Sequence, residues 1–216
     1  MEADLLWVIL LKPKKNKDML NSSLTKAFKA LKAGKIIVYP TDTLYAFGAD
    51  IFNNQAVLNV FKIKKRPLNQ PLPIAVCNLS QMETVAQTTE LSTLLTDNFL
   101  PGPLTLILKK KSNIPSIVTS GLDKVAIRIP NHKIMLKLIC DYGPLTVTSA
   151  NIHNEPVSSS IGEIKKQFLN NEVTVYIDGG TLIGDPSTIV DATGTEPIIV
   201  RQGRIKKNEI LGLLNK

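Results

Sequence analysis

The sequence predicts an α/β fold, a twisted mixed β-sheet flanked by helices, on three observations. Short apolar runs alternate along the chain with amphipathic stretches of helical period. Hydrophobic residues make up 44% of the 216, enough for a buried core. No repeat, low-complexity tract or Pro/Gly/Ser linker interrupts the pattern, so residues 1–216 read as a single domain.

Taken in order, Leu5–Leu11 reads as a strand. It is too short to cross a bilayer, and it follows Glu2 and Asp4 rather than the basic stretch of a signal peptide. Leu24, Ala27, Phe28 and Leu31 recur at helical spacing, with Asn21 or Ser22 as cap and Gly34 as stop. Ile36–Tyr39 is a strand. Val57, Val60 and Phe61 mark a helix opened by Asn53 or Asn54, and Leu72–Val76 is a further strand. A helix from about Thr89 to Phe99 stops at Pro101-Gly102-Pro103. Leu104–Leu108 and Val125–Ile129 read as strands, and Asn131 caps a helix carrying Ile134, Met135, Leu138 and Ile139 that closes at Gly143-Pro144. Leu145–Thr148 is a strand running straight into a polar loop. Ser160 with Glu163 spells a capping box. Val173–Ile177, Ser187–Asp191 and Ile198–Arg201 are the late strands, and a short helix follows Lys206.

Lysine and arginine number 26 against 18 acids, a formal net charge of +8. Such a surplus attracts polyanions. It gathers at Lys12, Lys14, Lys15 and Lys17, at Lys62, Lys64, Lys65 and Arg66, and at Lys109–Lys111; taken singly, each cluster also reads as a solvated face. Aromatics are only 5% and interleave none of the clusters, so anion binding is favoured over base stacking. Two cysteines, Cys77 and Cys140, make no disulfide framework, which points to a reducing, cytoplasmic setting without membrane association.

Walker loop, G-x-G-x-x-G, C-x-x-C and G-x-S-x-G elbow are all absent. His132 and His153 are too few for a histidine-rich metal site and read as a helix-start and a loop residue. Polar residues at strand ends remain. Thr41-Asp42-Thr43 follows a strand and reads either as a Pro-initiated turn or as part of a site. Lys64-x-Arg66-Pro67 either ends a helix or presents cations to an anion. Arg128 closes an otherwise apolar strand and needs an anionic partner. Ser149-Ala150-Asn151, Ser187-Thr188 and Arg201 repeat the theme at later strands. Ligands of such sheets sit beyond the strand ends, and this set suits a phosphate-bearing ligand beside a smaller polar one.

The ordered segments Gly34–Asp50, Phe61–Val76, Pro101–Leu108, Val118–His132, Gly143–Pro156 and Pro186–Ile205 resemble the YrdC/TsaC-type family of threonylcarbamoyl-adenylate synthases. The likeness covers residues 20–206, and the family's K-x-R and S-x-N signatures stand as Lys64-x-Arg66 and Ser149-x-Asn151. The resemblance implies a concave basic cleft and a reaction in which L-threonine, bicarbonate (or CO2) and ATP, with Mg2+, give L-threonylcarbamoyl-AMP and pyrophosphate. The product serves tRNA modification through downstream threonylcarbamoyl-transfer proteins. Chemistry of this kind needs positioning and positive charge but no covalent nucleophile.

By the same resemblance, Lys64 and Arg66 act as catalytic cations at the phosphates and the forming carbamate. Thr41, Arg128, Ser149 and Ser187 contact threonine, with Arg128 on its carboxylate. Gln70, Asn151, Ser159 and Arg201 join Lys64 and Arg66 on the ATP side, and no residue is assigned to a metal. The family's usual Glu, Gly, Asn, His and Thr are replaced by Asp42, Ala46, Gln70, Ala75 and Lys124. The alternatives are a double-stranded RNA or tRNA-binding module of the same fold without synthase activity, a carbamoyl-adenylate domain like that of hydrogenase-maturation proteins, and a generic nucleotide-binding domain.

Overall fold

A computed structural model of the chain describes residues 13–168 and 173–214, so Leu5–Leu11 lies outside the described residues. Helix α1 (Pro13–Lys32) opens on a proline, whose missing N–H and fixed φ suit a first helical position. Asn21 and Ser22 therefore lie inside the helix instead of capping it. The stop at Gly34 holds: its φ is +68° and its N–H bonds the Leu31 carbonyl.

Strand β1 (Ile36–Pro40) is buried along its length and turns through Thr41–Leu44 into β2 (Tyr45–Gly48), a strand that the sequence reading does not assign. Helix α2 (Asn54–Lys64) is capped by the Asn53 side chain, which accepts from the Ala56 N–H. Strand β3 shrinks to Ile74–Ala75, and α3 (Leu79–Val85) and β4 (Ala86–Gln87) are too short to register in the periodicity. Helix α4 (Glu90–Phe99) carries reciprocal capping between Thr89 and Ser92. Strands β5 (Leu104–Lys110) and β6 (Lys124–Arg128) follow as expected. Helix α5 (Lys133–Tyr142) opens at His132 rather than Asn131, and the Asn131 N–H is engaged by Asp42.

The apolar run from Leu145 is not one strand. Its first half, β7 (Leu145–Thr146), pairs with β3, and its second, β8 (Thr148–Ser149), pairs with β2, so the chain changes sheet at Val147. Helix α6 (Ile161–Gln167) is capped by Ser160, but Glu163 returns its carboxylate to the Ser159 N–H, one residue off the expected box. Strands β9 (Val173–Tyr176), β10 (Thr188–Asp191) and β11 (Ile198–Arg201) and helix α7 (Lys207–Leu214) complete the described chain.

Two mixed sheets stand where the sequence suggests one. The smaller runs β8-β2-β1-β9; the larger has seven strands, along β11-β10-β5-β6-β3-β7 with β4 on β5. Thr146 joins them. Its hydroxyl accepts from the Ala49 N–H at 2.9 Å and donates to the Phe47 carbonyl at 3.0 Å, and its own carbonyl accepts from the Tyr39 hydroxyl at 2.8 Å. One apolar cluster fills the space between the sheets and α2, α4 and α6; a second packs α1 and α5 on β1.

Cys77 and Cys140 are bonded to each other, with Cα atoms 5.3 Å apart, which corrects the reading of two cysteines without a disulfide framework and removes its argument for a reducing setting. The pair lies 63 residues apart in sequence, a separation that carries no spacing signal. No helix among the described residues is long and apolar enough to cross a membrane.

This topology brings distant residues to one place. Strand β6 runs antiparallel to β5, β10 runs parallel to β5, and β11 runs antiparallel to β10. Arg128 at the end of β6, Ser187 before β10 and Arg201 at the end of β11 therefore converge at one end of the larger sheet, beside Thr105 near the start of β5.

Candidate active site

A cleft of about 450 Å3 opens at that end, between the larger sheet and the β1–β2 turn. Of the residues singled out in sequence, Thr41, Arg66, Arg128, Ser149, Ser187 and Arg201 line it. Three are arginines, and no acid is among the described lining residues. A phosphate or carboxylate entering it meets positive charge from segments 66, 128 and 201.

Each arginine is held by its own surroundings. Lys65 ends α2 in the left-handed region, with φ 50°, and the Arg66 N–H returns to the Phe61 carbonyl at 2.9 Å. This turn swings Arg66 toward the cleft. Its Nε donates to the Gln70 carbonyl and its Nη2 to the Pro71 carbonyl, both at 3.0 Å. Arg201 donates from Nη2 to the Ser187 carbonyl at 2.8 Å. Burial lowers the pKa of both side chains, and the like charge of Arg128 adds to the effect on Arg201.

Arg128 is only 5% exposed. Its Nη2 donates to Asp42 Oδ1 at 2.7 Å and its Nη1 to Thr43 Oγ1 at 2.8 Å. The anionic partner that its burial demands is thus supplied within the chain. Burial lowers its pKa and the Asp42 carboxylate works in the opposite direction. The Thr41 hydroxyl donates to the Leu44 carbonyl at 2.7 Å and lies 3.0 Å from that of Thr43, so the turn is braced by its own side chains. Thr105 and Ser187 pair their hydroxyls at 2.8 Å on the cleft floor.

Lys64 lies beneath the cleft, 1% exposed. Its ammonium donates to the Ser149 carbonyl, to the Asn151 carbonyl at 2.8 Å and to Asn151 Oδ1 at 3.2 Å. Burial, and after it the charge of Arg66, push its pKa down to about 7. Asn151 is also buried; it accepts from the Ser149 hydroxyl at 2.7 Å and donates to the Glu155 carbonyl. Gln70 meets the site through its backbone carbonyl on Arg66, and Ser159 binds Glu163 at the start of α6. Neither side chain lines the cleft.

Thr43, named in sequence only within the Thr41-Asp42-Thr43 turn, also lines the cleft, as do Thr105 and Thr148, to which sequence reasoning gives no role. Thr43 sits two residues after Thr41 in one braced turn, and Thr105 alternates with Ile107 on the cleft-lining face of β5, a period-two signal hidden in an apolar run. Ala75 is fully buried beside Arg128 in the β3–β6 pairing, and Lys124 pairs with Asp191 at 2.8 Å. No cluster of metal-ligating side chains occurs among the described residues. A magnesium ion brought in with ATP would keep phosphate and water oxygens as its ligands, because the cleft wall presents no carboxylate.

The Sua5/YciO/YrdC family, described as telomere recombination, matches residues 29–203. The chain is 38% identical over 183 residues to the threonylcarbamoyl-AMP synthase of Pyrococcus abyssi, a match covering 83% of this chain and 54% of that protein. It is 32% identical over 189 residues to the threonylcarbamoyl-AMP synthase of Vibrio cholerae, covering 85% of this chain and 99% of that one. In fold it is similar to the crystal structure of P. abyssi Sua5 complexed with L-threonine, with a TM-score of 0.84 and 36% identity across 88% of this chain and 57% of that one. The chain therefore spans just over half the length of the Pyrococcus relative.

Proposed function

The chain belongs to the Sua5/YciO/YrdC family, and from that premise we propose that it is a threonylcarbamoyl-AMP synthase. The observation that carries this reading is the convergence of Arg66, Arg128 and Arg201 on one cleft whose described wall holds no acid. Such a wall suits a triphosphate next to an amino-acid carboxylate.

The threonine amine adds to the carbon of CO2, or of bicarbonate after loss of water, and forms a carbamate as a proton leaves. A carbamate oxygen then attacks the α-phosphorus of ATP and pyrophosphate departs. No side chain is required as nucleophile. The work of the chain is to align the amine, the carbon and the α-phosphate, and to answer the negative charge that they share. Arg128 takes the threonine carboxylate, with Thr41 and Ser187 on the same side. Arg66 and Arg201 face the phosphates as preset donors, and Ser149 stands at the junction. Lys64 adds positive potential from below while holding the 149–151 loop, and Asn151 holds Ser149. Gln70 anchors Arg66, and Ser159 supports the wall next to α6. Magnesium arrives bound to ATP. The product passes to threonylcarbamoyl-transfer proteins that act on tRNA.

Purified protein incubated with ATP, Mg2+, bicarbonate and labelled L-threonine should release pyrophosphate only when all four are present. Release that ignores threonine overturns the reading. Salt-sensitive RNA binding with no ATP consumption returns the protein to the class of RNA-binding modules.

A further inference from the structure

We infer that Asp42 is a positioning residue for amino-acid binding, which acts by fixing the guanidinium plane of Arg128. The inference rests on the reading of Arg128 as the carboxylate holder.

Asp42 does not line the cleft, although its neighbours Thr41 and Thr43 do. Its carboxylate meets Arg128 from outside the described cleft lining. Its Oδ1 accepts two hydrogen bonds, from Arg128 Nη2 at 2.7 Å and from the Asn131 N–H at 3.0 Å. The second bond ties the β1–β2 turn to the segment after β6, so the carboxylate is fixed independently of the arginine. Thr43 holds the other terminal nitrogen of the guanidinium. With both nitrogens anchored to one turn, the plane cannot rotate freely, and little ordering remains for a ligand to impose.

The pairing is also incomplete. Asp42 Oδ2 and Arg128 Nε are both buried and both without a hydrogen-bond partner. A guanidinium and a carboxylate can meet edge to edge through two parallel bonds, and here only one of the two is formed. A fully bidentate partner would answer the charge of Arg128 inside the chain. With the bond to Thr43, the single bond to Asp42 leaves three of its five N–H groups unused, so the arginine is oriented yet remains attractive to a second carboxylate. In this way Asp42 contributes direction without cancelling the charge that the site uses.

The test is calorimetric binding of L-threonine, of L-threoninol (which lacks the carboxylate) and of ATP. The proteins compared are wild type, Asp42→Ala, Arg128→Ala and the double variant. Asp42→Ala should weaken threonine binding about tenfold or more, leave threoninol binding unchanged and change ATP affinity less than about twofold. In the Arg128→Ala background, the Asp42 substitution should add nothing. Asp42→Asn keeps the shape and an acceptor oxygen, so it should fold even where alanine does not and should lose part of the affinity; Asp42→Glu should recover part of the alanine loss. Additive losses in the double variant, or equal losses for threonine and ATP, overturn the positioning role while leaving the synthase reading intact. A wild type that binds no threonine overturns both.

Discussion

Lys64 and Asn151, 87 positions apart in sequence, are joined by two hydrogen bonds: the lysine Nζ lies 2.8 Å from the asparagine carbonyl oxygen and 3.2 Å from its side-chain oxygen. With the bond to the Ser149 carbonyl, this contact makes the end of α2 the support of the loop that presents Ser149 to the cleft. Replacing Lys64 with Met keeps the stem but leaves buried acceptors without a donor, at a cost of about 1–3 kcal/mol each, offset in part by removing a desolvated ammonium. Lys64→Met should therefore lower the urea midpoint modestly and raise the KM for ATP about tenfold. An unchanged KM in a folded variant means that the loop does not depend on this support.

The same lysine makes stability depend on pH in a defined direction. Its ordinary value is 10.5 and its folded value is about 7, so below about 7 it is charged whether the chain is folded or not. Between about 7 and 10.5 the folded chain binds fewer protons than the unfolded chain, and stability rises with pH across that window. Arg66 and His153 are the titratable groups that share its surroundings. The stability of wild type minus that of Lys64→Met, read from urea midpoints at a series of pH values, should increase through the window. A flat difference means that the acceptors keep the ammonium charged throughout.

Much of this arrangement is legible in the sequence where local chemistry decides it. Asn53 and Thr89 cap their helices as their side chains dictate, and β5, β6, β10 and β11 fall within a few residues of the expected runs. Arg128 announces its need for an anion by standing at the end of an apolar strand, although which anion answers it depends on a turn more than 80 positions away. The features that escape are those set by tertiary contact. Strand β2 is buried at every position and has no alternation to read. The switch of sheets at Val147 is fixed by partners on β2 and β3, not by the residues of the run itself. The Cys77–Cys140 bond has no spacing signature, and Gln70 and Asn151 act largely through backbone or neighbouring groups that a motif does not display.

Gly203 shows how closely the backbone is packed behind the cleft. A Cβ placed there would lie 2.3 Å from the Pro186 carbonyl oxygen and 2.5 Å from the Ser187 carbonyl carbon, both backbone atoms that cannot swing aside. Gly203→Ala must displace the 186–187 segment, and with it the Ser187 carbonyl that accepts from Arg201 and the Ser187 hydroxyl that pairs with that of Thr105. It should destabilise the fold by roughly 1–3 kcal/mol and weaken both threonine and ATP binding. Gly194, whose added Cβ would meet nothing within 4 Å, is the control, and Gly194→Ala should leave both affinities alone. Equal behaviour of the two variants in calorimetry would contradict the tight-packing argument.

Arg66 offers the sharpest separation of charge from geometry. Its Nε and one N–H of Nη2 are fixed by the carbonyls of Gln70 and Pro71, which leaves both hydrogens of Nη1 and the second of Nη2 for an anion. A lysine at this position carries the same charge, yet a single ammonium on a flexible stem cannot grip two carbonyls with a planar fork and still present a donor in a fixed direction. If orientation matters as much as charge, Arg66→Lys should lose nearly as much as Arg66→Ala in kcat/KM for ATP, on the order of a hundredfold for the loss of one charge-stabilising donor. The two variants should differ in salt response: Arg66→Lys keeps the ionic-strength dependence of ATP binding, and Arg66→Ala flattens it. Turnover in Arg66→Lys close to that of wild type would mean that positive charge alone suffices at this wall, and the anchoring by residues 70 and 71 would then serve the fold rather than the reaction.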